Sequence, residues 1–273
     1  MIVTKKCTNQ LRKKSTLKEL CSDSIEEYGA FYVHTDQDIC EHISKSTNAS
    51  RCIMHIYCLP ILLPWDETDS QLLRLVSPQR QNKIQNYVFE TDRKLSLYSA
   101  LLARLRLSSV SGIPALDLVF GINTSQKPVS LSTPNIHFNL SHTRGFVLCG
   151  ICAYSTIGVD VEKITIAPIE IMKRFFHPEE IQYVENAPAL ERDLRFYKIW
   201  TRKEAYTKQL GTGLNSDVSA YNTLSSTLSS ILYTWRHGNY ICSACSKSPN
   251  SIEIKYVSES DIRNYFVALY DKK

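Results

Sequence analysis

Two short segments carry charged residues at spacings that could support chemistry. The first, Gly158–Lys163, has the pattern of a β-strand, and the two-residue period of a strand places Asp160 and Glu162 on the same face. Neighbouring carboxylates repel each other unless a hard cation lies between them, and Mg²⁺ typically takes one or two carboxylates together with waters and phosphate oxygens. Taken alone, the segment is equally explained as a half-buried strand with a solvated acidic face.

The second segment, residues 196–211, has the pattern of a helix. Glu204 lies at the border of its apolar stripe, and Lys208 lies one turn further along the same edge, so both side chains could face a cleft. An exposed Glu–Lys pair of little consequence is the alternative. Lys203 falls inside the stripe and must either extend to solvent or meet an anion. The stripe itself comprises Phe196, Ile199, Trp200, Thr207 and Leu210.

The elements that position these segments occur twice in the same order. Each copy has an apolar strand, then a proline at the first position of a helix, then a long helical run. The two prolines, Pro78 and Pro178, lie 100 residues apart. The pattern predicts two similar α/β halves that meet near residue 153, although chance recurrence would produce the same order. The strands are predicted at 53–59 and 157–164, and the long helices at 93–107 and 194–210.

We therefore predict an α+β fold with a division of the chain into three parts. Residues 1–50 have no sustained period and are interpreted as an N-terminal extension. The N-terminal half spans 51–153 and the C-terminal half 154–273. After Gly211 the second long helix must end, and short strands follow. These strands are predicted at 231–235, 240–244, 252–257 and 265–270.

Composition excludes several classes of protein. The 273 residues are 43% apolar and 22% charged, which is ordinary for a globular chain that buries a core. A net charge of +5 favours anionic partners but is too modest and too dispersed to indicate nucleic acid. No apolar run is long enough for a membrane span, and no signal peptide is evident, so we expect a cytoplasmic protein that does not bind membranes. Six basic residues among the first twenty leave an organelle transit segment open.

Four of the nine cysteines form two C-x-x-C pairs, Cys149/Cys152 and Cys242/Cys245, a spacing found in zinc and redox sites. Both pairs lie in segments with the pattern of strands. Residues three apart on a strand point to opposite faces and cannot share one ion unless a turn intervenes. The pairs are therefore predicted to be buried reduced thiols, with a zinc site as the alternative.

Together, the two charged segments closely resemble the signature of the Sfp-type phosphopantetheinyl transferases. Strand G-V-D-V-E-K is followed about forty residues later by helix W-T-R-K-E-A-Y-T-K, with R-F-F-H-P-E-E between them. Matching segments upstream are Ser77–Lys83, Lys127-Pro128 and Phe138–His142. The resemblance covers about residues 53–270 and leaves the extension without a counterpart. It implies two similar α/β halves related by pseudo-twofold symmetry, with the active site at their junction.

The resemblance also implies roles for individual residues. Asp160, Glu162 and Glu204 correspond to the carboxylates that hold Mg²⁺ against the pyrophosphate of coenzyme A. Glu204 is the expected acceptor of the serine proton, with Lys208, near the pyrophosphate, as the alternative.

The remaining implied positions contact coenzyme A. Arg80 and Lys83 resemble the pair that receives the 3′-phosphate, and Lys127 resembles the residue near the adenine and phosphates. Lys94 stands where many relatives have arginine, and as a point charge it cannot form a bidentate fork. The other expected contacts are Ser141, His142, Lys203 and Lys208.

The implied reaction transfers 4′-phosphopantetheine from coenzyme A to a serine of an apo-acyl or apo-peptidyl carrier protein and releases adenosine 3′,5′-bisphosphate. Such carriers serve fatty acid, polyketide and nonribosomal peptide biosynthesis, and the enzyme is expected to be a monomer. Two alternatives use the same residues. One is a metal-dependent pyrophosphatase, and the other is a non-catalytic module that binds coenzyme A or carrier proteins.

Overall fold

The computed structural model describes residues 53–125, 127–213, 217–247 and 251–270. The predicted extension at 1–50 lies outside these residues. The described chain has nine strands and eight α-helices, joined by short 3₁₀ turns. None of the described helices combines the length and apolar character that a transmembrane span requires.

Strands and helices are numbered separately in chain order. The strands are β1 Ile53–Pro60, β2 Phe120–Ile122, β3 Pro128–Ser130, β4 Ile136–Thr143, β5 Phe146–Ala153, β6 Ile157–Lys163, β7 Leu232–His237, β8 Tyr240–Ser246 and β9 Ser251–Tyr256. The helices are α1 Glu67–Leu72, α2 Pro78–Gln85, α3 Glu90–Ser111, α4 Met172–Phe175, α5 Pro178–Glu185, α6 Arg192–Leu210, α7 Ser226–Ser229 and α8 Glu259–Tyr270. This mixture of helices and largely antiparallel strands confirms the predicted α+β class.

The strands form three sheets. The first has the order β4-β5-β1-β9, the second β6-β8-β7, and the third is the β2–β3 hairpin. All pairings are antiparallel except that of β1 with β9, which is parallel. The first two sheets pack face to face through an apolar layer that contains Met54, Ile56, Val159 and Val161. This layer holds the strand that carries the acidic pair against the N-terminal sheet.

The predicted helix starts are confirmed. The Ser77 side chain accepts a hydrogen bond from the backbone of Arg80, and Pro78 occupies the first helical turn of α2. His177 caps α5 in the same way, with Pro178 in its first turn. Leu210, expected on the buried stripe of α6, is 38% exposed because the helix ends there.

One predicted strand is wrong. Residues 265–270 form the second half of α8 rather than a strand. The buried apolar residues of α8, Ile262 and Phe266, are four positions apart, which is the spacing of a helix face. Helix α8 and strand β9 contact α3 and β1 of the N-terminal half. The division of the chain at residue 153 and the symmetry of its halves stay predictions.

Both C-x-x-C pairs lie in strands, β5 and β8, as predicted. Cys149, Cys242 and Cys245 are buried free thiols, and burial raises the pKa of Cys149 to about 12. Cys152 is disulfide-bonded, so the prediction of reduced thiols is wrong for this residue. Within the described ranges no group of three His, Cys, Asp or Glu side chains is arranged to hold a metal ion.

Candidate active site

Asp160 is the centre of the candidate site. Its side chain is 3% exposed and projects from β6. Oδ1 accepts hydrogen bonds from Ser141 Oγ at 2.8 Å and from Lys208 Nζ at 2.6 Å. Oδ2 is buried, and no residue that the structure describes donates a hydrogen bond to it. A buried carboxylate oxygen without a donor is costly, so the site has capacity for one more positively charged or donor group.

The charge of Asp160 affects the pKa of both other predicted carboxylates, Glu162 and Glu204. Burial, followed by the charge of Asp160, raises the pKa of Glu162 to about 7, and Lys208 acts in the opposite direction. Burial and the charge of Asp160 also raise the pKa of Glu204. Thr143 Oγ1 donates to Glu162 Oε2 at 3.4 Å. The structure therefore brings the three carboxylates and Lys208 together, although they are not arranged as a closed set of metal ligands.

Polar side chains of β4 hold β6 in place. Asn139 Oδ1 accepts a hydrogen bond from Val159 N at 2.8 Å, and Ser141 Oγ accepts from Val161 N at 3.4 Å. These side chains satisfy the backbone of β6 on the edge that does not pair with β8. Ser141 thus fixes both the strand and the carboxylate of Asp160.

Asn139 and Thr143 were not predicted as site residues. The signal for them was present in the sequence, because Asn139, Ser141 and Thr143 alternate along β4 and must lie on one face.

Gly158 sets the close contact between β6 and α6. A Cβ atom at this position would lie 2.0 Å from Ala205 O and 2.4 Å from Gln209 N. Only glycine lets the helix backbone approach this closely. The approach brings Lys208 and Glu204 of the helix to Asp160 of the strand. Sequence analysis placed this glycine in the motif without identifying its role.

Lys127 lies at the C-terminal end of α6. Its ammonium donates to Ile157 O at 2.8 Å and to Lys208 O at 2.9 Å. Burial and the charge of Lys208 lower its pKa to about 8. Lys127 therefore ties the β2–β3 hairpin to the backbone next to the site, and a cation at this end also complements the helix dipole.

The predicted 3′-phosphate residues lie close enough to His142 to affect its pKa. Burial lowers the pKa of His142, and the positive charges of Arg80, Lys208 and Lys83 lower it further, while Asp92 opposes them. The structure thus brings two residues of α2 close to the Ser141–His142 segment. A cleft of about 450 Å³ beside α2 is lined by Gln79, Asn82, Lys83, Asn86 and Tyr87.

The predicted contact of Lys94 with coenzyme A is corrected. Lys94 is 1% exposed, and its ammonium lies 3.2 Å from Asp69 Oδ2 and 2.8 Å from Glu259 Oε2. It also donates to Pro64 O at 2.8 Å. Two buried carboxylates and the Pro64 carbonyl surround the ammonium, so Lys94 is not available to a ligand.

The predicted contact of Lys203 with coenzyme A is corrected for the same reason. Of the two outcomes left open by the sequence, Lys203 meets an anion: its ammonium pairs with Glu180 at 2.8 Å. It also donates to Val218 O and Tyr221 O. The residue is 1% exposed and lies on the face of α6 that packs into the core.

Comparison with known proteins assigns both halves of the described chain to one family. Residues 156–268 match the family model of the 4′-phosphopantetheinyl transferase superfamily. Residues 63–153 match the model of the 4′-phosphopantetheinyl transferase N-terminal region. The two matches adjoin each other at the start of β6.

Individual relatives agree with this assignment. The chain is 30% identical over 160 residues to the 4′-phosphopantetheinyl transferase ffp of Bacillus subtilis, covering 59% of the chain and 70% of the relative. It is 28% identical over 206 residues to the transferase gsp of Aneurinibacillus migulanus, covering 70% and 86%. It is also 28% identical over 156 residues to Sfp of Bacillus subtilis strain 168, covering 57% and 69%. The chain therefore belongs to the 4′-phosphopantetheinyl transferase superfamily, among the members of Sfp type.

Proposed function

We propose that this protein transfers the 4′-phosphopantetheine moiety of coenzyme A to a serine of an apo-acyl or apo-peptidyl carrier protein and releases adenosine 3′,5′-bisphosphate. The observation that carries the proposal is Asp160. Its carboxylate is buried beside Lys208, close to two further carboxylates, and one of its oxygens has no donor among the described residues. Family membership agrees with this reading of the site.

The donor set fits Mg²⁺. Carboxylate oxygens are the ligands that this hard cation prefers, and Asp160 Oδ2 offers a buried one. We propose that Asp160, Glu162 and Glu204 hold the ion. When bound, it would supply positive charge that offsets the negative charge developing on the leaving group.

The reaction needs a serine oxygen to attack the β-phosphorus of coenzyme A while the bond to the adenosine bisphosphate breaks. Glu204 is the proposed acceptor of the serine proton, because burial and the charge of Asp160 raise its pKa and so make it a better base. Lys208 is the alternative acceptor. Its ammonium beside Asp160 would otherwise neutralise charge on the phosphates.

The substrate would be oriented by the residues around His142. We propose that Arg80 and Lys83 receive the 3′-phosphate, with Ser141 and His142 nearby. Burial and the surrounding cations lower the pKa of His142 and so favour its neutral imidazole, which we propose contributes a hydrogen bond rather than a charge. Lys127, whose ammonium is bonded to two backbone carbonyls next to the site, is proposed to lie near the adenine and phosphates.

An assay with coenzyme A and a panel of apo-carrier proteins tests the function. Transfer adds the phosphopantetheine arm to the carrier, which mass spectrometry detects. A pyrophosphatase would instead release free phosphopantetheine, and a binding module would do neither. The comparisons support neither alternative, since the relatives bear transferase names. We further propose that the protein is cytoplasmic and monomeric, and gel filtration tests its mass.

A further inference from the structure

The segment that joins β1 to α1 is held by its backbone at four consecutive positions, 61–64. The donors and acceptors come from three distant parts of the chain, so the conformation of the segment is fixed by tertiary structure. The bonds are Ile61 N to Gly145 O at 2.9 Å, Leu62 N and Leu63 N to Glu259 Oε1, and Lys94 Nζ to Pro64 O at 2.8 Å.

The side chains of this segment are exposed although its backbone is fixed. Leu62 is 76% exposed and Leu63 is 50% exposed. A single exposed leucine needs no explanation, but two adjacent ones on a rigid backbone form a preorganised apolar contact. We call these two residues the Leu62–Leu63 ridge.

The ridge lies close to the candidate active site. Ile61 is bonded to Gly145, and Thr143, two residues earlier in the same hairpin, contacts Glu162. With consecutive Cα atoms 3.8 Å apart, this path limits the distance between the Leu62 backbone and the Glu162 carboxylate to roughly 20 Å. The surface between them carries positive charge from the exposed Arg144.

We propose that the Leu62–Leu63 ridge is a docking surface for the apo-carrier protein, an inference that rests on the proposed function. A domain of about 100 residues has a radius of gyration of about 13 Å. A carrier whose serine oxygen reaches Glu204 therefore covers surface at the distance of the ridge. The carrier would place an apolar helix face on the leucines and acidic residues against Arg144 and the cations beside His142.

This assignment gives a role to a cluster that the transfer chemistry does not use. Lys94 and Glu259 are buried and take no part in the candidate site, but Glu259 binds the backbone of the ridge and Lys94 binds the carbonyl of the adjoining Pro64. They are positioning residues, because they act on the carrier only through the backbone of residues 62–64. A fixed ridge reduces the entropy lost when the carrier docks.

The test compares two variants of the full chain, a double leucine substitution in the ridge and a single leucine substitution elsewhere. Leu62→Ser combined with Leu63→Ser removes the ridge. Leu190→Ser is the matched control, since Leu190 is 99% exposed and precedes the N-terminal end of α6. Glu204 lies twelve residues into this helix, about 18 Å from its start. The probe is an apo-carrier protein that the unmodified enzyme modifies.

We expect the double variant to raise the KM for the carrier about tenfold, the effect of losing central apolar contacts. The KM for coenzyme A and kcat should stay within about twofold, as should every parameter of the control variant. An unchanged carrier KM would overturn the docking surface. An equal rise in the carrier KM of the control variant would also overturn it. If the unmodified enzyme modifies no carrier in the panel, the proposed function itself fails, and that result requires no variant.

Discussion

Two buried Lys–Asp pairs, one on each long helix, differ in how completely their atoms are satisfied. In the first, Lys94 of α3 pairs with Asp69, and both carboxylate oxygens are used: Oδ1 by Tyr98 and Arg263, and Oδ2 by Lys94 and the backbone of Asp66. In the second, Lys208 of α6 pairs with Asp160, whose Oδ2 has no donor in the described part of the chain. The Lys94 side chain is 2% exposed, whereas that of Lys208 is 29% exposed.

The difference distinguishes a structural ion pair from one that can bind a ligand. A buried pair whose every atom is satisfied has no capacity for a ligand, and removing one partner leaves an uncompensated charge that destabilises the fold. A pair with an unused oxygen and a partly exposed lysine is electrostatically incomplete, and a ligand can complete it. Both lysines were predicted to contact coenzyme A, and only the environment of each distinguishes them.

The strongest test of the comparison exchanges each aspartate for asparagine. Asp160→Asn should lower transfer by about 10³-fold or more while the fold survives, because the site loses a charge that the ligand requires and the partly exposed Lys208 can be solvated instead. Asp69→Asn, the matched control, should destabilise the protein and leave kcat of the folded fraction unchanged. Transfer assays and chemical denaturation measure the two effects. Asp160→Asn protein that works at the unmodified rate at limiting Mg²⁺ would contradict the proposed metal role.

Glu204→Gln sharpens the comparison by separating the two roles proposed for Glu204, metal ligand and proton acceptor. The substitution keeps the shape and one oxygen but removes the basicity. If Glu204 is the base, kcat should fall by about 10²–10⁴-fold, while the affinity for coenzyme A at saturating Mg²⁺ stays nearly unchanged. Rapid-quench and binding measurements distinguish the two parameters. Full recovery of the rate on raising Mg²⁺ would make Glu204 a ligand only and assign the proton to Lys208 or water.

Replacing each lysine by methionine tests the energetic side of the comparison. Lys94→Met should lower the free energy of unfolding by about 3–5 kcal/mol, because Asp69 and Glu259 lose a buried partner. Its kcat at saturating substrates should stay within about threefold. Lys208→Met should show the opposite pattern. The free energy of unfolding should change little, since solvent reaches this lysine and screens its pair, whereas kcat should fall. Urea titration and transfer assays read both variants, and a larger stability loss for Lys208→Met would break the distinction.

The smallest expected effect concerns Arg80 and Lys83, the residues proposed to receive the 3′-phosphate. Replacing both Arg80 and Lys83 with alanine should raise the KM for coenzyme A by about 10- to 100-fold, and far less for 3′-dephospho-coenzyme A, since the proposed contact is to the 3′-phosphate. Steady-state kinetics with the two substrates measures the difference. An equal loss for both would show that these residues act elsewhere.

Features set by local pattern were predictable from the sequence. The strand period placed Asp160 and Glu162 on one face, and the prolines marked the starts of α2 and α5. The apolar stripe of α6 also identified Lys203 as a residue that must either extend to solvent or meet an anion, and it meets Glu180. In each case the determining residues lie within a few positions of each other.

Features that depend on distant partners were not predictable. Lys94 is structural because Glu259, near the other end of the chain, packs beside it. Helix α8 resembled a strand until its contacts with the N-terminal sheet fixed which residues it buries. Gly158 marks a close approach only once α6 is known to cross β6. A single sequence gives no distances between such positions.

The buried thiols give the molecule its own reporters of internal motion. Cys58 and Cys242 lie in the apolar layer between the two sheets, and burial raises the pKa of each thiol. A thiol reagent attacks the thiolate, so neither residue can be labelled until the layer opens. The rate at which these two thiols are labelled therefore measures how often the two sheets separate, and no cysteine has to be introduced. Comparing that rate with and without coenzyme A would reveal whether substrate binding tightens the junction on which the site is built.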